Sequence, residues 1–302
     1  MKFPNPVVGL IINYRDASLT ARCIESLLSQ DVDWILVLDN SEDNGASTKE
    51  LDALLRHNPK VQIHISRANL GFAIGVNHGL RLIAETSPEA WVLLINNDAY
   101  LLPKAISLLA EELYKRPKCF IAYPSIDHGG SITGTMYYQR ISGLITTAPL
   151  FGSFPYPSGC CLLIAQNRVS PPLFDEDFFM YGEDTALAFK LGENAFAHIP
   201  KKLVIHDGSS ASKVGSIFYE SRIVVAHLRL SGKLAKNKAD QFSLLLFRGI
   251  HLFVRSVLRS VRFKSLTPIS ALLRGGKLAV IDDPQLKKAR DIKIKSTPYP
   301  HN

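Results

Sequence analysis

The sequence predicts an α/β fold in which a mixed, mostly parallel sheet is flanked by helices and followed by a helical C-terminal extension. Three observations carry this. Apolar runs of strand length recur through the first hundred residues, segments with helical spacing separate them, and every run opens into polar residues. Strands joined by helices cross over the sheet, and such crossovers make neighbouring strands parallel. Ligands of open α/β sheets bind at the C-terminal edge of the strands, which is where these polar residues fall.

Taken in order, residues 7–12 (VVGLII) form a buried strand leading into Asn13-Tyr14-Arg15-Asp16. Residues 18–29 read as a helix with Leu19, Cys23, Ile24, Leu27 and Leu28 on one side. A second strand, 34–38, ends in the polar loop 39–45, and a helix over 49–56 leads to a third strand at 61–65. A helix over 71–85 precedes the fourth strand, 91–95. Residues 122–157 are rich in Gly, Ser, Thr and aromatics and weakly periodic, which predicts loops and short antiparallel strands facing an acceptor. After the turn at 157–159 the chain enters another strand, and helices are expected over 218–232 and 240–263. These readings divide the chain into a catalytic domain, 1–232, and a basic amphipathic extension, 233–302.

A length of 302 residues permits a substantial core, and the apolar and charged fractions, 46% and 21%, exclude a disordered chain. Cys23, Cys119, Cys160 and Cys161 lack metal-type spacing and have apolar neighbours, which predicts buried thiols in a reducing compartment. No apolar stretch approaches the ~20 residues of a spanning helix, and no signal peptide is visible, so a cytoplasmic location is expected. Charge is unevenly spread. Residues 1–221 carry 18 Lys+Arg against 23 Asp+Glu, whereas residues 222–302 carry 17 against 4. Basic residues without an aromatic RNA-binding pattern give little support to nucleic acid as a partner. Arg248, Arg255, Arg259 and Arg262, spaced by seven, four and three, share one helical face beside a broad apolar surface. Such a helix suits an anionic membrane interface, or equally packing on the catalytic domain or a second subunit.

The candidate chemistry starts at 91–98 (WVLLINND), a strand with a polar tip. Asp98 at that tip can hold a hard divalent cation if substrate phosphates supply further oxygens, although Asn96-Asn97-Asp98 also suits a plain turn. His206 follows the apolar run 203–205 at a second strand end, and a neutral imidazole ligates Mn²⁺ more readily than Mg²⁺. Asp184, beside Glu183 in an aromatic-rich segment, is a candidate general base whose pKa apolar neighbours would raise. Both acids also suit the N-terminus of the helix that follows.

Seven stretches in order resemble the family 2 glycosyltransferases, inverting enzymes of the GT-A fold, and nearest their rhamnosyltransferase-like subgroup in bacterial polysaccharide assembly, including O-antigen synthesis. They are 11–14 (IINY), 38–43 (LDNSED), 69–79 (NLGFAIGVNHG), 94–98 (LINND), 157–159 (PSG), 174–184 (FDEDFFMYGED) and 206–210 (HDGSS). The resemblance implies transfer of a sugar from a nucleotide-diphosphate donor, dTDP-rhamnose among the choices, to a saccharide or lipid-diphosphate-linked acceptor at the inner face of the cytoplasmic membrane. It makes Asp98 the second aspartate of an Asp-x-Asp element whose first position is Asn96, with His206 as a further ligand of Mn²⁺ or Mg²⁺. It makes Asp184 the base, with Glu183 contacting the acceptor or orienting the site. Asn13, Tyr14, Asp39, Asn69, Gly71, Asn77 and Asn97 would line the donor cleft, although Asn69 is also a good helix N-cap. Ala186 and Lys190 stand where the family often has an Asp and an Arg. A nucleotidyltransferase would want a Gly-rich, basic segment after the first strand, and 13–18 is not one. A sugar-nucleotide-binding scaffold without activity stays open, though retention of Asp98, Asp184 and His206 speaks against it.

Overall fold

A computed structural model describes residues 5–208, 214–281 and 283–291. Ser209 and Ser210 of the last stretch lie outside them. The chain opens with β1 (Val7–Asn13), α1 (Ala17–Leu28), β2 (Trp34–Asp39), α2 (Ala46–Leu54), β3 (Val61–Ile65), α3 (Gly71–Thr86) and β4 (Trp91–Asn96). It continues through β5 (Ala99–Leu101), α4 (Ala105–Lys115), β6 (Ile121–His128), β7 (Ser131–Thr133), β8 (Met136–Gln139), β9 (Ile145–Thr146), β10 (Ser153–Tyr156) and β11 (Cys161–Ala165). Then come α5 (Glu183–Leu191), β12 (Phe196–His206), α6 (Ile217–Lys233), α7 (Lys238–Phe263), α8 (Thr267–Val280) and α9 (Pro284–Asp291).

The main sheet runs β3-β2-β1-β4-β11-β6-β12-β5, with β7 beside β6. The first four strands are parallel, as the alternation of runs and helices predicts. β11 then enters antiparallel between β4 and β6, and β12 returns parallel to β6. The strands read as continuous apolar runs because both faces of the sheet are covered. Trp91, Leu93 and Ile95 of β4 face one core with α1 and α4, while Val92 and Leu94 face the other with α3, Phe174 and Leu187. The weakly periodic middle supplies the short sheet β10-β8-β9, as expected, but its first residues join the main sheet as β6. Pro124, Ser125 and Asp127 interrupt the apolar pattern there and hide the strand. All four cysteines are free and buried.

The C-terminal helices share apolar contacts with the rest of the chain. Leu244 of α7 joins Tyr138, Tyr156, Phe178 and Leu230 in one cluster. α8 crosses α6 at Gly275, where a Cβ would lie 2.6 Å from Val224 Cβ, so only glycine allows the approach. The arginine face of α7 turns into the fold, so for these arginines it is packing on the catalytic domain, not a membrane interface, that the structure shows. Arg248 is fully buried and donates to the His227 carbonyl (3.0 Å), Ser231 Oγ (3.0 Å) and the Arg140 carbonyl (2.7 Å). Arg255 and Arg259 both hold the buried Glu220 of α6, and only Arg262 is exposed. The buried Glu220 carboxylate draws Arg255 and Arg259 inward, because unpaired it would cost several kcal/mol, while Arg248 is held by carbonyls and Ser231. α9 docks near the end of β2. Leu286 and Ala289 pack with Leu38, Leu70, Ile74 and Phe179, Arg222 pairs with the buried Asp283, and Lys288 pairs with Glu42.

Candidate active site

Strand register brings the polar tips to one edge. Asn13 at the end of β1 sits opposite Asp39 at the end of β2, and Ile12 sits opposite Asn96 of β4. Beyond β4 the chain turns through Asn97 and Asp98 into β5, which pairs antiparallel with β12 so that His206 lies opposite Ala99. Because β11 is antiparallel to β4, the turn that precedes it falls at the same edge. The Asn96 N–H donates to the Cys160 carbonyl (2.9 Å), and the Gly159 N–H donates to Asp184 Oδ2 (3.4 Å). Two backbone hydrogen bonds thus connect the β4 tip to the carboxylate at the start of α5.

Asp98 and His206 meet directly. Asp98 is buried, its Oδ1 lies 2.9 Å from His206 Nε2, and its Oδ2 is buried with no hydrogen-bond partner among the described residues. His206 Nδ1 lies 3.1 Å from Nδ1 of His128, at the end of β6. Burial and the neighbouring His206 hold the His128 pKa below the usual imidazole range. A neutral His128 therefore donates to or accepts from His206 and orients its ring, as second ring partners do at metal-bound histidines. The donor set fits a divalent cation: one orphaned carboxylate oxygen and one oriented imidazole. Among the described residues no group of three acidic, His or Cys side chains has metal-site geometry. Two protein ligands leave room for the phosphate oxygens that Mg²⁺ or Mn²⁺ takes from a substrate. Burial pushes the Cys23 and Cys160 thiols well up, and the nearby Asp98 charge adds to this, so both stay protonated and are poor ligands.

The second acidic group is built by a tight turn. Tyr181 and Gly182 both have positive φ, 68° and 88°, which starts α5 abruptly at Glu183. A Cβ on Gly182 would lie 3.0 Å from the Phe178 ring and 3.1 Å from Ala226 Cβ. Asp184 Oδ1 accepts from the Thr185 N–H (2.7 Å) and Thr185 Oγ1 (3.3 Å), while Oδ2 has only the long contact from Gly159. Glu183 is buried and its Oε2 has no partner among the described residues. Burial raises both pKa values; the Asp184 charge raises Glu183 further, and the hydrogen bonds to Asp184 offset part of its rise. The hydrogen bonds that favour a charged carboxylate converge on Asp184, which makes it the member of the pair suited to take up a proton.

Among the expected donor residues, Asn13, Asp39 and Asn77 differ from these acids in having protein partners on both side-chain polar atoms. Asn13 Nδ2 donates to Asp39 Oδ1 (3.0 Å) and Ser41 Oγ (3.3 Å), and its Oδ1 lies 2.8 Å from Thr20 Oγ1. Asp39 Oδ1 also accepts from the Ser41 N–H (3.1 Å), and Oδ2 accepts from Thr48 Oγ1. Asn97 Nδ2 donates to Thr20 Oγ1 (3.1 Å), so one hydrogen-bonded series runs from the β4 tip to α2. Asn77 is buried on α3 and clamps the segment before α5: it donates to the Phe174 carbonyl (2.8 Å) and accepts from the Phe174 N–H (3.0 Å). Asn69 Oδ1 accepts from the Gly71 N–H (2.9 Å), but the N-cap of α3 is Leu70, so the expected capping residue sits one position too early. Gly71 has φ 70°, and a Cβ there would lie 2.3 Å from the Phe179 carbonyl oxygen, so the backbone approach demands glycine. Tyr14 is half-buried beside the Arg15 guanidinium, 5.3 Å from its ring centre. Sequence reasoning gave no role to His128, Thr20, Ser41 or Thr48. A histidine ending an unrecognised strand, and hydroxyls that matter only through their partners, carry no local signal.

The sequence profile described as Glycosyl transferase family 2 matches residues 10–167. N-acetylglucosaminyl-diphospho-decaprenol L-rhamnosyltransferase of Mycobacterium tuberculosis is 25% identical to this chain over 54% of its residues and 64% of the relative's, in both strain CDC 1551/Oshkosh and strain ATCC 25618/H37Rv. The chain thus matches less than two thirds of the length of these curated relatives. Among solved structures, S. aureus TarS 1-349 superposes with a TM-score of 0.53 at 14% identity, over 94% of this chain and 87% of that one. A structure titled as that of a mycobacterial protein superposes with a TM-score of 0.51 at 13% identity, over 76% and 75%. At such identities the likeness is one of fold, and the fold is GT-A.

Proposed function

This chain belongs to glycosyl transferase family 2, and on that premise we propose that it is a metal-dependent, inverting hexosyltransferase of polysaccharide synthesis. The donor is a nucleotide-diphosphate sugar, with dTDP-rhamnose the first choice because the curated relative is an L-rhamnosyltransferase. The acceptor is a saccharide carried on a lipid diphosphate at the membrane face, again by analogy with that relative's name. Residues 1–232 carry the chemistry and 233–302 form an extension to it.

One observation carries the reading: a metal-suited carboxylate and a base-suited carboxylate stand at the same sheet edge, joined through Asn96, Cys160 and Gly159. Asp98 and His206 would hold the divalent ion, which neutralises charge on the departing diphosphate. Asp184 takes the acceptor hydroxyl proton as the acceptor oxygen bonds to the anomeric carbon. The bond from that carbon to the diphosphate breaks on the opposite face, inverting the configuration. Glu183, holding its proton, donates toward the acceptor or the sugar without competing for the proton that Asp184 removes. Asn13, Tyr14, Asp39, Asn69, Gly71, Asn77 and Asn97 shape the donor cleft, most of them by fixing the loops that a nucleotide would touch.

The test is a donor panel with purified protein and Mn²⁺ or Mg²⁺, following nucleotide release with and without a lipid-diphosphate saccharide. Acceptor-stimulated release from one donor, abolished by chelation and in Asp184→Asn, supports the proposal. Donor binding without turnover across donors and acceptors would overturn it in favour of a sugar-nucleotide-binding scaffold.

A further inference from the structure

α7 is amphipathic in the reverse sense of a helix packed on a soluble core. Its inward positions are Leu244, Arg248, His251, Leu252, Arg255, Ser256, Arg259 and Ser260, mostly polar or charged. Its outward positions are apolar, with Phe242, Ile250, Phe253, Leu258 and Val261 between 55% and 73% exposed. Leu245, Leu246, Phe247, Val254 and Val257 fill the same face. From residue 242 to residue 261 no charged side chain is exposed, a band about 30 Å long at the helical rise. Apolar surface on this scale marks an interaction site.

Charge decides what covers it. Exposed Lys236 and Lys238 stand at one end of the band, and exposed Arg262 and Lys264 at the other. Residues 241–281 contain no Asp or Glu at all. Asp240, at the start of the helix, is already paired with Arg140. A second copy of the chain laid along α7 would set basic end against basic end, in parallel or antiparallel register, with no acid to pair them. Such like-charge contacts oppose association. An anionic bilayer satisfies both features: acyl chains take the apolar band and lipid headgroups take the cations at its ends. α8 adds exposed Leu266, Leu273, Arg274 and Lys277. No helix among the described residues is long and apolar enough to cross a membrane.

We propose that the outward face of α7 is a docking surface for an anionic membrane, with the helix lying in the plane of the interface. The arginines at 248, 255 and 259 take no part, since they are spent inside the fold. This goes beyond the proposed reaction and does not depend on it.

Flotation of the full chain with lipid vesicles tests the proposal without reference to activity. The protein is expected to rise with vesicles of phosphatidylcholine and phosphatidylglycerol, and less with phosphatidylcholine alone or at high salt. Phe253→Ser with Leu258→Ser should weaken binding more than about tenfold, as expected from two large apolar side chains lost from the buried face. Both are exposed, so the variant should keep the parent's circular dichroism and melting temperature. Replacing Lys236, Lys238, Arg262 and Lys264 by Gln should also cost more than about tenfold, and only on anionic vesicles. Absence of flotation on anionic vesicles, or flotation unchanged by the Phe253/Leu258 pair, overturns the proposal. So does a stable dimer in lipid-free solution that the same pair dissociates, since the face would then belong to a second copy.

Discussion

The two halves of the sheet edge are built on opposite principles. At the ends of β1 and β2, Asn13 and Asp39 spend their polar atoms on Ser41, Thr20, Thr48 and each other. At the end of β4 and the start of α5, buried Asp98 Oδ2 and Glu183 Oε2 have no partner among the described residues. Leaving a buried polar group unsatisfied costs roughly 1–3 kcal/mol, a cost that a metal or substrate group bound at this edge would offset. The first half is a finished scaffold that fixes loop shape. The second half leaves acceptor atoms open, which is what the proposed chemistry requires.

If this contrast is right, the largest effect falls on the second half. Asp184→Asn should lower kcat by about 10²–10⁴ with little change in melting temperature, because it removes proton acceptance and keeps shape. A loss under tenfold in a nucleotide-release assay would place the base elsewhere. Next, His128→Ala should weaken activation by Mn²⁺ about 10–100-fold, through loss of the partner that orients His206. Titration of activity against metal reads this directly; an unchanged midpoint would remove His128 from the site.

The finished half should answer in stability instead. Asp39→Ala leaves the Asn13 and Thr48 donors unpaired in a buried setting and should cost about 1–3 kcal/mol in denaturant unfolding. A large rise in donor KM with unchanged unfolding would instead make Asp39 a direct ligand and break the contrast. The smallest effect concerns Glu183. Its folded-state pKa is raised, so its contribution to stability is full below the ordinary carboxylate pKa and is lost as pH rises through the shifted value. Glu183→Gln, which mimics the protonated acid, should flatten that decline and leave the acid limb of the rate profile, set by Asp184, in place. Stability measured by denaturant melts across pH checks the first point, and kcat/KM across pH the second.

The parallel half of the sheet is legible because β1 to β4 bury both faces, which writes itself as apolar runs ending in polar tips. The acidic candidates are legible for the same reason, since Asp98 and Asp184 follow conspicuous apolar segments. What the sequence hides is relational. β6 escapes notice because Pro124, Ser125 and Asp127 break its pattern, and His128 goes with it. The arginines of α7 share a face, as their spacing requires, but spacing cannot say which way a face turns. The buried Glu220 of α6, with the carbonyls and Ser231 that hold Arg248, decides that.

α9 bears on how the molecule is made. Leu286 and Ala289 cover Leu38, Leu70, Ile74 and Phe179, yet Leu286 follows Ile74 by about 210 residues. At roughly 5–20 residues per second, a ribosome leaves that patch bare for about 10–40 s after its own strands have emerged. The nascent chain therefore passes through an interval in which the loops at this edge lack the cover that α9 provides. Slowing translation between α3 and α9 should lengthen that interval.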